Sequence, residues 1–473
     1  MLRTTFAAGA LALAFAAPAW ASECAGGTCS IDAAPSSREV QTAVDAYLAS
    51  AKADTSLVGG AGSAGYDGGF WIRGGSFLMK INLTLQTRWE WFDWDDTEAE
   101  PSPGGDLSGF SLPRATLKFS GDATCDVHYY AELEFGHPGT PFGVYDTNNF
   151  GAAIAPVASW QGQNLLLADG QFTTDVLFQS ADELWGTLRE GWIEYEAATQ
   201  AAFRMGLIKT AATRQLMTAP ELQQFVDISL ATAFIGQSMP GYSDRNRDYG
   251  FMVHGALGCD GEWQYMATVT NGDGPVHRNV LDGTTSDNFA YSARVNWDVK
   301  GHIGYEEGAL RSTECAWALA IGAWVHYYAD ARQHRPYVKY ADRLTYGVDA
   351  AFMWGGLSVT AAYSAFSWDF EAGDDLDGTA ILVQAGYLFP GTAWEVAARW
   401  STLSLESYND LGASEFGAAV TYYIDGHADK VTLDVAFISP EDDGSIFGDV
   451  YAGYSPSFDS DAMLVRLQWQ LAL

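Results

Sequence analysis

Charged residues at alternate positions of several stretches are the side chains whose types and spacing could do chemistry in this sequence. The cations in such positions are Lys80, Arg88, Arg114, Lys118 and Arg204. The carboxylates that share the pattern are Glu132, Glu190 and Glu194. Groups of both signs on the wall of a water-filled space stay ionised and weight the passage of one ion over another, without making or breaking a bond.

The residue patterns that catalysis or metal binding would need do not occur. The eight His show no H-x-x-x-H spacing, and the sequence holds no C-x-x-C, no G-x-S-x-G and no Gly-rich phosphate loop. We therefore predict that the protein is not an enzyme and that it carries no cofactor and no built-in metal site. The five Cys are an odd number, so at least one thiol stays outside any intramolecular disulfide.

The composition excludes further classes of function. The 473 residues carry a formal net charge of -34, which repels phosphate backbones and argues against a nucleic-acid partner. Aromatic residues make up 14%, far more than a disordered chain contains, so most of the sequence packs against something.

The amino-terminal residues predict export from the cytoplasm. Arg3, an apolar run and the small-residue pattern at 19–21 are typical of a signal peptide over 1–21. Residues 22–64 predict a periplasmic tail with a short helix and a Gly/Ser-rich linker, and 65–473 form the main domain. The rest of the sequence contains no run of about 18 apolar residues, so it predicts no transmembrane helix.

Apolar and polar residues alternate with a period of two along most of that domain, and the alternating stretches predict sixteen strands. In the first, Phe77, Met79 and Ile81 alternate with polar neighbours, and the last, over 463–472, repeats the pattern. Strands of about ten residues suit a tilted bilayer span better than a globular sheet. Aromatic residues at strand ends, among them Phe366 and Trp368, fit the girdles expected at the membrane boundary.

The connections alternate between tight turns and long polar loops. This alternation is typical of an all-β transmembrane antiparallel barrel with short periplasmic turns and long extracellular loops. The third long connection, 210–247, contains apolar residues that a loop in water would not need, so we expect it to fold into the lumen and narrow the channel. Its charged residues are candidates for the constriction, and they are Arg214, Glu221, Asp227 and Asp244.

Six short motifs then occur in order. They are "GYDGGFWIR" (65–73), "FSLPRATLKFSG" (110–121), "LREGWIEYE" (188–196), "FRMGLIKT" (203–210), "RDYGFMVHG" (247–255) and "YMATVTNG" (265–272). In these motifs the sequence resembles the phosphate-selective porin O/P family of outer-membrane channels. The resemblance implies a homotrimeric sixteen-stranded porin that transports ions or small solutes by passive diffusion, with basic residues along the pore and lysine in the third loop. This sequence has no lysine between Thr210 and Arg247.

We expect such a protein to contact outer-membrane lipid and lipopolysaccharide. We expect it to pass small ions or solutes, which could include anions such as phosphate. The acidic runs at 93–100, 369–377 and 439–445 could bind divalent cations in the outer loops. Two alternatives stay open at this point. One is a non-conducting surface or adhesin barrel plugged by the long 136–187 connection, and the other is a secreted β-sandwich array that binds glycans through its Trp residues.

Overall fold

A computed structural model describes most of the main domain. The described residues are 62–94, 107–135, 187–238, 246–272, 289–310, 317–331, 341–370, 375–405, 411–441 and 461–473. The predicted signal peptide, most of the predicted tail and the 136–186 connection lie outside these ranges. The same is true of most residues of the three acidic runs.

Eighteen strands make up the sheet, and the first two are short. These are β1 (Gly62–Tyr66) and β2 (Phe70–Gly74). The others are β3 (Phe77–Trp94), β4 (Leu107–Asp122), β5 (Val127–Glu134), β6 (Thr187–Ala198), β7 (Ala201–Lys209), β8 (Arg247–Leu257), β9 (Trp263–Thr270), β10 (Ala290–Lys300), β11 (Ala318–Ala331), β12 (Ala341–Trp354), β13 (Leu357–Phe370), β14 (Leu376–Leu388), β15 (Trp394–Leu405), β16 (Leu411–Asp425), β17 (Asp429–Glu441) and β18 (Ala462–Ala472).

Strands β3–β18 form a closed antiparallel barrel of sixteen strands. Each strand pairs with its neighbours in sequence, and β18 pairs with β3 from Ala462↔Trp94 to Ala472↔Thr84, which closes the sheet. Closure satisfies every strand edge and leaves no unpaired edge along the wall. The prediction of a sixteen-stranded antiparallel barrel is therefore confirmed.

The β1–β2 hairpin extends this sheet at the rim where the connections are short. Strand β2 pairs with the first residues of β3, on the same edge of β3 that β18 occupies further along. The Asn82 amide joins the two neighbours by donating to the carbonyl oxygens of Gly68 (2.6 Å) and Leu473 (3.0 Å). Because β1 begins at Gly62, the sheet starts a few residues inside the segment that the sequence assigns to the linker.

Side chains alternate between an apolar outer face and a polar inner face. On β12, for example, Val348 is 53% exposed on the outside, whereas its neighbour Asp349 is 4% exposed on the inside. On β16 the outward Phe416 is 60% exposed and the inward Glu415 is fully buried. An apolar surface round the whole barrel has no favourable contact with water, so it requires an apolar environment.

Two aromatic residues do not lie where the sequence analysis places them. Phe366 and Trp368 were expected in an outer girdle, but both share the inward face of β13 with Ser358, Thr360 and Ser364, and they are 2% and 8% exposed. The physical reason is an apolar helix inside the lumen, described below, that packs on them.

Gly206 on β7 meets a backbone constraint, which gives a first prediction. Its φ is +141°, and a Cβ there would lie 2.2 Å from the carbonyl oxygen of Gly191 and 2.8 Å from the Cα of Trp192. We expect Gly206→Ala to lower the free energy of unfolding by about 1–3 kcal/mol, because neither backbone atom can move away. Denaturant unfolding in detergent measures this. Gly74→Ala, whose Cβ meets no atom within 4 Å, is the control and should unfold like the wild type.

The short-turn rim holds two of the cysteines. Cys125 lies in the β4–β5 turn with an exposed free thiol, whereas Cys259 in the β8–β9 turn is disulfide-bonded. Among the described residues, no helix is both long enough and apolar enough to cross a membrane.

Candidate functional site

The described residues between β7 and β8, 210–238 and 246, lie inside the barrel and are called the lumen loop here. The loop contains helix α1 (Arg214–Met217), a 3-10 turn (Pro220–Leu222) and helix α2 (Leu230–Ser238). Its two ends meet at a neck, where the Thr210 N–H donates to the Asn246 carbonyl (2.7 Å) and the Asn246 amide donates back to the Thr210 carbonyl (2.7 Å). The loop therefore leaves and rejoins the wall at one point.

Helix α2 packs on an apolar part of the inner wall. Phe234 lies 5.1 Å from Phe366 between ring centroids, and Leu230 and Ile235 are buried in the same cluster. Wall residues of the cluster come from β11 to β18 and include Trp324, Leu403, Leu405, Ile438 and Leu464. Apolar contact of this extent removes the helix from water and fixes it against one side of the lumen.

Asp227 anchors the middle of the lumen loop to the seam where the barrel closes. Its carboxylate lies 2.9 Å from Arg88 Nη1, 3.4 Å from Arg114 Nη2 and 3.4 Å from Arg466 Nη1. The Arg399 guanidinium donates to the Asp227 carbonyl oxygen (2.8 Å). All of these side chains are buried, so the carboxylate is the counter-ion that lets several guanidinium groups converge on one place.

A second anchor holds the start of the loop. Arg294 and Asp349 form a bidentate pair with two contacts of 2.7 Å, and both side chains are 1% exposed. The Asp349 carboxylate also accepts the Arg214 N–H (3.0 Å), and Arg294 donates to the Ala212 carbonyl (2.8 Å). The pair therefore stabilises the backbone where α1 begins.

The 3-10 turn makes a third contact, on the wall that faces the Arg294–Asp349 pair across the lumen. Glu221 forms an ion pair with Lys118 of β4. Burial favours the neutral acid, but the Lys118 ammonium outweighs it and lowers the pKa of Glu221, so this carboxyl is ionised at neutral pH. The loop thus crosses the lumen from the β10–β14 wall to β4.

The exposure of the inward side chains varies along the height of the barrel. On β5–β8 the inward side chains of His128 and His254 are 25% exposed and that of Arg204 is 19% exposed. On the opposite wall the side chains of Arg399 and Arg466 are 0% exposed. These part-exposed side chains lie near the short-turn rim, whereas Arg189 and Arg247, further along β6 and β8, are 4% and 3% exposed. At the level of the lumen loop the inward charged side chains are therefore buried on both walls.

A small cavity, with room for about one water molecule, lies between the lumen loop and the wall. The wall contributes Arg189, Lys209 and Arg247 to its lining. The loop contributes Gln215, Leu216, Thr218, Pro220, Gln223 and Ile228. No carboxylate is among the described residues that line it, so its charged lining is cationic.

Two of these cations pair with carboxylates on the same inner wall. Glu132 is 3.4 Å from Arg189 Nη1, and Glu190 is 3.2 Å from Arg247 Nε. Lys209 differs, because its Nζ contacts only the carbonyl oxygens of Leu216 (3.4 Å) and Met217 (3.3 Å) among the described atoms. The three cations and their two carboxylate partners leave a formal excess of one positive charge at the cavity.

Gln223 completes the cavity from the loop side. Its side chain is buried, and neither its amide nitrogen nor its amide oxygen has a hydrogen-bond partner among the described residues. A buried amide without partners is costly, so its two polar atoms are available to whatever occupies the cavity.

The structure places the other predicted site residues as follows. The Glu194 carboxylate accepts a hydrogen bond from Arg204 Nε (2.7 Å) and lies 2.7 Å from His254 Nε2. It is on the inner wall, nearer to the short-turn rim than Glu190. Lys80 is half-buried on the inward face of β3. Arg88, Arg114, Arg214 and Asp227 belong to the anchors. Glu132 and Glu190 pair with cations of the cavity lining, and Lys118 pairs with Glu221. Asp244 lies outside the described residues.

The sequence analysis missed much of the lumen. Its cations come from late strands as well as early ones, and the missed wall residues are Arg189, Lys209, Arg247, Arg294, Arg343, Arg399, Lys430 and Arg466. The signal was present, because Arg466 alternates with Val465 and Leu467, but only barrel closure brings it beside Arg88. In the described part of the chain, no group of three or more His, Cys, Asp and Glu side chains could hold a metal ion.

Comparison with known proteins gives a fold and no family. No family model and no curated protein matches the sequence. Among solved structures, an anion-selective porin from Comamonas acidovorans is 12% identical with a TM-score of 0.52, over 84% of this chain and 99% of that one.

Two other solved structures show the same likeness. OprB of Pseudomonas putida is 9% identical with a TM-score of 0.52, over 83% of this chain and 94% of that one. A trimer form of OmpT, an outer-membrane protein of Vibrio cholerae, is 10% identical with a TM-score of 0.50, over 83% and 99%. The barrel is thus of the kind that outer-membrane porins have, and nothing in these likenesses singles out the phosphate-selective family.

Proposed function

We propose that the protein is an outer-membrane porin that lets ions or small solutes diffuse passively through a pore narrowed by the lumen loop. The observation that carries the proposal is a closed barrel with an apolar outside, a charged inside and a loop anchored across the lumen by Asp227. Transport by such a lumen needs no bond-making, only a water-filled path and fixed charges.

The outer surface supports the membrane location. Exposed Trp side chains gather near the short-turn rim, and they are Trp263, Trp297, Trp317, Trp354, Trp394 and Trp469. Amphipathic rings at one level of a barrel are typical of the boundary between hydrocarbon and headgroups. We further propose a homotrimer in contact with lipid and lipopolysaccharide, because a trimer form is described for OmpT of Vibrio cholerae.

The lining of the cavity favours small anions, phosphate among them, over cations. Arg189, Lys209 and Arg247 line the cavity, and only the two arginines pair with a carboxylate among the described residues. Cations that line a constriction favour anions over cations. The excess of acidic residues elsewhere does not oppose this, because salt screens charges beyond about 8 Å at physiological ionic strength.

Planar-bilayer recording tests the proposal. The purified protein in detergent should insert and give stepwise ionic conductance, and a salt gradient should give a reversal potential of the sign expected for anion preference. A silent bilayer from folded protein would contradict the porin function and favour the plugged barrel. Purification in a soluble fraction without detergent would contradict both barrel functions and favour the glycan-binding array.

Lys209→Met tests the anion preference by itself. The substitution keeps the volume of the side chain and removes the one cavity cation that has no carboxylate partner among the described residues. We expect the anion-to-cation permeability ratio to fall roughly two- to threefold, since removing a charge at a constriction removes part of its selectivity. Lys300→Met at the rim is the matched control and should leave the reversal potential unchanged. An unchanged ratio in Lys209→Met would refute the role of the cavity.

A further inference from the structure

One short-turn connection differs from all the others of its kind. The other six span two to five residues, but β10 and β11 are joined by residues 301–317. Residues 301–310 of this connection, called the strap here, fold back into the lumen from the short-turn rim. Ile303, Glu307 and Ala309 are 4%, 2% and 0% exposed, so the strap is part of the interior and not a surface loop.

Glu307 joins the strap to the lumen loop. Its carboxylate accepts from the Gln215 side chain (3.0 Å) and from the Gln224 N–H (3.0 Å), and its own N–H donates to the Leu222 carbonyl (3.0 Å). The Gln384 amide of β14 donates to the same carboxylate (3.0 Å). These four contacts hold both ends of the loop segment that borders the cavity.

The hydrogen bonds to the Glu307 carboxylate depend on the position of the lumen loop. Glu307 is held by neutral N–H donors only, and it forms no ion pair with a described residue. A buried carboxylate needs such donors in place of water, and hydrogen bonds to an ionised acceptor are about twice as strong as neutral ones. Two of the three donors belong to the lumen loop, so moving the loop would leave the carboxylate unsolvated.

The strap is itself fixed to the wall on both sides. The Tyr305 hydroxyl accepts from Arg294 Nε (2.9 Å), and the Ala309 N–H donates to Glu395 of β15 (3.3 Å). His427 of the β16–β17 turn contacts the Glu307 carbonyl (3.1 Å). The Arg214 guanidinium of the loop donates to the carbonyls of Ile303 (3.3 Å) and Gly304. A strap clamped in this way can act as a rigid support.

We propose that the strap is a second component of the constriction and that Glu307 is a positioning residue, which holds the lumen loop at its distance from Arg189 and Arg247. The width of the pore is then set from the short-turn rim as well as from the neck of the loop. This inference rests on the proposed porin function for its conductance readout, but not for its structural one.

Three variants test the role of Glu307. Glu307→Ala removes the carboxylate, Gln215→Ala removes one donor without changing any charge, and the double variant removes both. We expect each single variant to raise single-channel conductance roughly twofold, since conductance grows with the open area of a pore. Each should also admit larger polyethylene glycols from a graded series. The double variant should add little to Glu307→Ala, because Glu307→Ala has already removed the contact between Gln215 and the carboxylate.

The size limit separates positioning from simple charge removal. Because Gln215 lines the cavity itself, its reference is Gln223→Ala, which shortens another lining glutamine whose side chain has no hydrogen-bond partner among the described residues. If Glu307 acted only through its charge, Gln215→Ala would behave like Gln223→Ala, and Glu307→Ala would have the polyethylene glycol limit of the wild type. Either result would overturn the proposal. Glu262→Ala, in the β8–β9 turn of the same rim, is the control and should match the wild type in both measurements.

Hydrogen exchange separates this proposal from the porin function. In detergent, Glu307→Ala should speed amide exchange in residues 214–238 and leave β12–β15 unchanged, while heat-modifiable mobility on a gel verifies that the barrel has folded. If the wild type does not conduct but the exchange changes as expected, the porin function fails and the strap remains. If exchange in the loop is unchanged in both Glu307→Ala and Gln215→Ala, the strap proposal fails.

Discussion

Replacement of Asp227 by alanine should free the lumen loop and open the pore. The variant leaves three guanidinium groups converging on a site that has lost its carboxylate, and at least two of them, those of Arg88 and Arg466, are almost fully buried. Removing one partner of a buried ion pair costs about 3–5 kcal/mol, because the remaining charge stays buried and uncompensated. Repulsion among the arginines favours a loop that has moved away and let water reach them.

The expected result is a larger and noisier single-channel conductance together with faster proteolysis of the loop. The barrel wall should persist, because Arg466 keeps Asp434 (2.7 Å) and Arg88 keeps Glu90 (2.8 Å). Asp260→Ala, the same substitution at an exposed turn, serves as the control. A variant whose conductance, noise and protease sensitivity all equal those of the wild type would show that Asp227 does not anchor the loop.

Asp349→Ala should have the second large effect, on stability. The substitution strands Arg294, which is 1% exposed on its side chain, and removes the acceptor of the Arg214 N–H. We expect the free energy of unfolding to fall by about 3–5 kcal/mol, as is usual for a broken buried pair. Denaturant unfolding in detergent, followed by tryptophan fluorescence, measures the loss.

A double variant identifies the cause of that loss. Arg294→Met with Asp349→Leu removes both charges and keeps most of the volume, and such replacements are often neutral or stabilising. We expect the double variant to be more stable than Asp349→Ala. If the two are equally unstable, the loss comes from packing or from the hydrogen bond to the Ala212 carbonyl rather than from an uncompensated guanidinium.

The number and direction of the strands could be predicted from sequence because lipid and water act on alternate residues. A period of two follows from the backbone itself, and each predicted stretch matches one barrel strand, with ends that shift by a few residues. The same alternation also placed Arg88, Glu132 and Glu194 on the inner face, although it gave no partner for any of them.

The errors arose where the lumen is not simply water. Phe366 and Trp368 fall on the inward parity of β13, set by Val359 and Tyr363 on the other face, but an apolar inner face has no reason to exist without α2. The strap was visible only as a connection longer than its neighbours. The role of Glu307 depends on hydrogen-bond donors from Gln215, Gln224 and Gln384. No residue pattern within the strap predicts these donors.

The barrel could be predicted from the sequence, because burial against lipid is a local property that appears as alternation within each strand. The tertiary structure alone decided which charges are fixed and which face the open path. Asp227 meets Arg466 across 239 positions of the chain, and that contact exists only after β18 has paired with β3 and the lumen loop has folded inward. The energy of an ion pair depends on the distance between its two charges in space. In a lumen that contains many positive and negative side chains, the ion pairs that form when the barrel closes therefore determine which charges can act on a passing ion.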